Sequence, residues 1–151
     1  MKVKNLDQLL ELSMRVADRL NSEDCIFLFG EIGVGKTTFV RYLINYLQKK
    51  NHLSENHVLS PTFNIVYDYD VKSHIIMHYD LYRLKSENEI KELGIFEESK
   101  KTVKIIEWPE LIKNSIKNKL EFHFFYGNTI NSRNIEIFGF GKWKNFKLNE
   151  I

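Results

Sequence analysis

The sequence predicts an α/β fold: a mixed sheet with a parallel core, antiparallel hairpin strands added to it, and helices on both faces. Three observations predict it. Helix-like and strand-like periodicities alternate along the chain. A glycine-rich loop sits between an apolar strand and an amphipathic helix, the order of a strand–loop–helix unit. The last third carries two alternating segments around one turn, as an antiparallel pair does. With 151 residues, 1–151 is expected to form one domain.

Each element has its own warrant. Residues 6–20 place Leu6, Leu9, Leu10, Val16, Ala17 and Leu20 at helical spacing with charges mostly between them. Residues 25–29 (CIFLF) form a short apolar run bounded by polar residues and Gly30, as a buried strand does. From Lys36 to about Lys50, Phe39, Val40, Leu43, Ile44 and Leu47 recur every three or four residues and predict a second helix. Beyond Pro61, residues 63–69 and 75–79 read as two strands joined by a short turn. Ser86 caps a short helix running through Leu93, with Glu89 completing a capping box and Gly94 stopping it. Residues 103–106 (VKII) form a compact strand, and Pro109 then opens a helix to about Ile116. Residues 120–126 and 135–140 are alternating strands around the turn at 127–133, and the closing KWKNFKLNEI reads as a solvated, frayed end.

Composition narrows the class without naming a partner. The sum of 22 basic and 20 acidic residues is a formal charge of +2, which neither demands nor excludes nucleic acid. Cys25 is the only cysteine, so an intramolecular disulfide and a cysteine zinc cluster are excluded, and a buried apolar role is expected for it. No apolar run approaches the roughly 18 residues a membrane helix needs, and the N-terminus mixes charge with apolar residues. A cytoplasmic protein without membrane contact is the expectation.

Chemistry enters at residues 30–37, GEIGVGKT, which satisfies GxxxxGK[ST] with an extra glycine in the predicted strand-to-helix position. Glycines let successive backbone N–H groups turn inward around a phosphate, and the following helix points its positive end at the same place. Lys36 adds a point charge for the β- and γ-phosphates, and the Thr37 hydroxyl can take one site on an octahedral Mg²⁺. Glu31, Ile32, Gly33, Val34, Gly35, Lys36, Thr37 and Thr38 are therefore the expected phosphate-binding set. A glycine turn that merely reverses the chain would leave Lys36 unexplained.

Phosphate-bound Mg²⁺ recruits carboxylates from strand ends beside the loop, and Glu107 and Asp80 both qualify. Glu107 ends the more apolar strand, expected to be central and parallel, and ranks ahead; the plain alternatives are a surface charge for Glu107 and an ion pair with Arg83 for Asp80. Thr62, on the proline-stiffened SPTF segment, is either a γ-phosphate sensor of the switch-loop kind or an ordinary turn residue. His78 reads as a packed strand residue, the other histidines lack metal-ligand spacing, and Trp108 is core or a nucleotide contact. The segment at 118–121 (NKLE) approaches a guanine-reading NKxD, but it carries Glu for Asp and opens a strand, so ATP is favoured.

GEIGVGKTTFVR at 30–41, SPTF at 60–63, HYDLYRL at 78–84, ELGIFE at 92–97 and IEWPE at 106–110 together resemble the TsaE family, also called YjeE, in order and spacing over nearly the whole chain. The resemblance implies a small P-loop ATPase that works with the TsaB and TsaD proteins to make threonylcarbamoyladenosine (t6A) at tRNA position 37, touching tRNA through that complex. It further implies Mg²⁺ held by Thr37 and Glu107 and Asp80 needed for hydrolysis; with Lys36 and Thr62 these acids make up the expected catalytic set, and Arg133 is either the counterpart of a C-terminal family arginine near the nucleotide or an exposed turn residue. Two positions depart from the family pattern: its first-helix threonine near the adenine is Leu9, and the glycine after the loop's arginine is Tyr42. Two other readings use the same phosphate cradle: a small-molecule kinase, whose closing arginines would be Arg83 and Arg133, and a non-catalytic nucleotide-gated binding module.

Overall fold

The computed structural model describes residues 1–146. Seven strands form one sheet: β1 (Lys2–Val3), β2 (Cys25–Phe29), β3 (Val66–Asp70), β4 (Ile75–Asp80), β5 (Thr102–Glu107), β6 (Lys119–Tyr126) and β7 (Arg133–Phe140). Their order across it is β1-β7-β6-β2-β5-β4-β3. The four central strands β6, β2, β5 and β4 run parallel, whereas β7, β3 and β1 are added antiparallel. The mixed sheet with a parallel core is the architecture predicted above.

Strand alternation divides the core. Ile26 and Leu28 of β2 face a cluster built with helices α1 (Leu6–Ala17) and α2 (Lys36–Lys50), including Leu12, Phe39 and Leu43. Cys25 and Phe27 face the opposite cluster, closed by Ile90 of helix α3 (Glu87–Lys91) and by Ile112 of a 3₁₀ turn at Glu110–Ile112. Both faces of β2 are buried, which is why its sequence is a continuous apolar run. Helix α1 is capped by Asn5, whose side chain accepts from Gln8 N, and α3 carries the predicted Ser86–Glu89 capping box.

Several boundaries differ from the sequence expectation, each for a visible reason. The helix expected over 109–116 is only a 3₁₀ turn: Ile112 N donates to Pro109 O and Ser115 N to Ile112 O in the tighter i→i+3 pattern, and the buried Lys119 ammonium holds the carbonyls of Lys113 and Ile116 where the turn ends. The strand expected from Phe63 begins at Val66, since Ile65 (φ +68°) closes a turn back to the Pro61 carbonyl. Helix α1 ends at Ala17 because Arg19 N and Leu20 N bond Val16 O and Ala17 O in the tighter i→i+3 pattern. Strand β1 has no signature in the sequence, since two residues carry no alternation. The closing segment is not frayed as far as residue 146: Trp143 and Phe146 pack against the core. Residues 147–151 of that segment lie outside the described residues. Among the described residues no helix is long and apolar enough to cross a membrane.

Cys25 is 5% exposed, and burial pushes its thiol up to about 12. At pH 8 it stays protonated in the folded protein, so a chromogenic disulfide reagent should titrate no thiol until denaturant is added, then one per chain.

Candidate functional site

Strand β2 ends beside the loop because its carboxyl end leaves the sheet between two neighbours. Gly30 takes the turn at φ +137°, and a Cβ there would stand 2.7 Å from the Phe124 carbonyl, so no other residue fits. Gly35, at φ +114°, is the N-cap of α2. Lys36 begins the helix and folds back: Nζ donates to Gly30 O at 2.5 Å and Glu31 O at 3.0 Å and lies 4.1 Å from the centroid of the Trp108 ring. Burial pulls this ammonium below the usual lysine range, while Glu107, Asp80 and Glu110 oppose that pull.

The acids arrive by register. In the parallel pairs, Leu28 stands opposite Glu107 and Asp80 opposite Glu107, so loop, Glu107 and Asp80 share the carboxyl edge. Thr37 Oγ1 donates to Glu107 Oε1 at 2.8 Å, and His78 Nε2 stands 2.9 Å from the same oxygen. Both contacts fall on Oε1, so neither engages Oε2. Asp80 Oδ2 accepts from Thr62 Oγ1 at 2.8 Å and Ser60 Oγ at 3.2 Å, and Oδ1 accepts from Tyr82 N at 3.0 Å. The SPTF segment is thereby tied to a strand-end carboxylate.

Ile32, Gly33, Gly35, Lys36, Thr37, Thr38, Thr62, Asp80 and Glu107 line one cleft of about 310 Å³, joined by Ser60, Tyr82 and Trp108. Three residues of the expected set are not among its lining: the Glu31 carbonyl receives Lys36, Val34 is buried in the core, and Arg133 donates to Val34 O at 2.8 Å from behind the loop. Leu9 packs beside Gly35. Lys119 of NKLE begins β6 at the amino edge of the sheet, opposite the cleft. A larger hollow of about 510 Å³ lies at that edge between Asp24, Lys104 and Lys142, with none of the glycine loop in its walls.

Ser60 and Tyr82 join the site beyond the residues picked from sequence, Trp108 both packs against the core and lines the cleft, and His78 is a packed strand residue, as expected, that also reaches Glu107. One signal was present for His78: two residues from Asp80 in a strand, it faces the same side. Among the described residues no group of three or more His, Cys, Asp and Glu side chains is placed to hold a metal. A hydroxyl and a carboxylate at Thr37 and Glu107 instead suit Mg²⁺, which takes one or two protein oxygens and completes its shell from phosphate and water.

Comparison with known proteins follows the same lines. The family model described as "Threonylcarbamoyl adenosine biosynthesis protein TsaE" matches residues 3–135. The chain is 38% identical over 112 residues to the tRNA threonylcarbamoyladenosine biosynthesis protein TsaE of Rickettsia felis, covering 74% of this chain and 63% of that one. To the protein of that name from Rickettsia conorii it is 41% identical over 104 residues (69% and 57% covered), and to that from Haemophilus influenzae 35% over 95 (61% and 57%). The chain thus spans about three fifths of the length of these relatives. Its fold resembles the crystal structure of Bacillus subtilus YdiB with a TM-score of 0.73 at 20% identity, over 99% of this chain and 90% of that one.

His78→Leu leaves buried Glu107 with one donor fewer and should lower unfolding stability by about 2 kcal/mol in urea titration. His78→Gln, whose amide can replace the Nε2 donor, should recover most of the loss.

Proposed function

The chain belongs to the TsaE family, and from that premise we propose that it is the ATPase subunit of t6A formation at tRNA position 37, binding and hydrolysing ATP with Mg²⁺ to reset a TsaB–TsaD complex in the cytoplasm. The observation that carries this reading is the convergence of Lys36, Thr37, Glu107 and Asp80 in one cleft at the carboxyl edge of a parallel core. Ligands of open α/β sheets bind at that edge.

Backbone amides of the glycine loop and the first turn of α2 would receive the β- and γ-phosphates, with the Lys36 ammonium exchanging loop carbonyls for phosphate oxygens. Thr37 and Glu107 would hold Mg²⁺, which when bound neutralises charge on those oxygens. Asp80 Oδ2 would orient the attacking water. Because that same atom accepts from Thr62 and Ser60, water and loop compete for one oxygen, and turnover is coupled to the conformation of the SPTF segment. Such coupling is how an ATP cycle would be felt by partner proteins, and it suits slow hydrolysis by the chain alone. Of the two arginines a kinase would close over an acceptor, Arg83 lies 5.5 Å from the Phe63 ring and Arg133 stands behind the loop; neither lines the cleft.

Lys36→Ala should weaken ATP binding by about a hundredfold in calorimetry. Asp80→Ala and Glu107→Ala should still bind ATP yet lose phosphate release by about 100-fold, measured with TsaB, TsaD, threonylcarbamoyl-adenylate and tRNA present. Wild-type phosphate release by Glu107→Ala would remove the Mg²⁺ assignment, and a phosphorylated metabolite in place of free phosphate would favour the kinase.

A further inference from the structure

The phosphate-binding loop is gripped on its outer side as well as its inner one. From within, Lys36 takes the carbonyls of Gly30 and Glu31. From behind, Tyr126 Oη donates to Ile32 O at 2.8 Å, and Arg133 Nε donates to Val34 O at 2.8 Å. The two outer side chains brace each other, the Arg133 guanidinium lying 4.8 Å from the centroid of the Tyr126 ring. Arg133 is also anchored to its own turn, with Nη1 donating to Ile130 O and Ser132 O at 2.8 Å each. That turn is closed by Gly127 N donating to Ser132 O at 2.9 Å and Thr129 N donating to Ser132 Oγ at 3.0 Å, with Ser132 itself 4% exposed.

Peptide planarity gives this grip a consequence. Within one peptide unit the C=O and the following N–H point in opposite directions. Drawing the carbonyls of Ile32 and Val34 outward therefore turns the N–H groups of Gly33 and Gly35 inward, where a phosphate would sit. Gly33 and Gly35, at φ +76° and +114°, have no side chains to restrict these peptides, so the restraint has to come from outside the loop.

We propose that Tyr126 and Arg133 are positioning residues that hold the loop amides in their phosphate-binding orientation without touching the nucleotide, an inference that rests on the ATP-binding reading above. The resemblance places Arg133 near the nucleotide; the geometry assigns it to the loop backbone instead.

Binding of ATP and of inorganic tripolyphosphate to the full chain tests this, with hydrogen exchange of the amides at 31–37 followed in parallel. Tyr126→Phe, which keeps the ring, should weaken both ligands about fivefold. Arg133→Lys, which keeps the charge but loses the fork, should weaken both about tenfold. Loop amides should exchange faster by similar factors in the ligand-free variants. Loss of ATP affinity with tripolyphosphate affinity unchanged would overturn the proposal in favour of a nucleoside contact. Full affinity in both variants, even with a lowered melting temperature, would reduce the pair to structural support. A wild-type chain that binds neither polyphosphate would sink the ATP-binding reading and this proposal together, whereas wild-type binding matched by the variants sinks this one alone.

Discussion

Three strand ends standing level are the constraint on which the site depends. Because β5 lies in parallel register between β2 and β4, Leu28, Glu107 and Asp80 form one row across the carboxyl edge. A slip of one residue in β4 or β5 would turn its carboxylate to the other face. Slippage is opposed by burial: Val103 and Ile105 are fully buried on one face of β5, and a slip of one residue in either direction would put Lys104 in the place of one of them. The ladder also continues past the acids, since Leu81 N donates to Glu107 O and Trp108 N to Leu28 O. That continuation sets the direction of the chain beyond each carboxylate, and Trp108, at φ +58°, can lay its ring over the Lys36 ammonium.

What the sequence makes legible is whatever has a local cause. The loop is readable because backbone nests need glycine, Glu107 because a short apolar run ending in an acid is a strand end, and α3 because its capping box is spelled in four residues. Pairings between distant segments leave no such mark. His78 meets Glu107 across 29 positions, Tyr126 meets Ile32 across 94 and Arg133 meets Val34 across 99. Each requires knowing which strands are neighbours. The helix expected over 109–116 is the same lesson in reverse: Pro109 marks a helix start locally, but the chain stops at a 3₁₀ turn whose last carbonyls, Lys113 O and Ile116 O, are held by Lys119, a residue outside the window.

Electrostatics explains why the cleft carries the cation it does. Lys36 faces two carboxylates, Glu107 and Asp80, each 3% exposed, so the triphosphate of the proposed ligand would add negative charge beside negative charge in a partly dehydrated space. One ammonium does not balance that. A divalent ion held by Thr37 and Glu107 would, and the two contacts on Oε1 already orient that carboxylate without engaging Oε2. His78 Nδ1 is buried without a hydrogen-bond partner, so the tautomer carrying its proton on Nε2 is the one that satisfies the pair.

The antiparallel strands at the flanks of the sheet then have a role beyond closing it. Strand β6 runs with β2 toward the carboxyl edge, and only an antiparallel return through β7 leaves its turn at that edge, where Arg133 reaches the back of the loop. On the other flank β3 runs against β4, with Val66 opposite Tyr79, so the segment entering β3 starts beside Asp80 and brings Ser60 and Thr62 to it. A wholly parallel sheet would carry both connections away toward the amino edge before the chain could return. Mixed topology therefore places one turn behind the glycine loop and the SPTF segment beside the acids on its other side, each fastened through a different strand, Arg133 of β7 to Val34 O and Asp80 of β4 to Thr62.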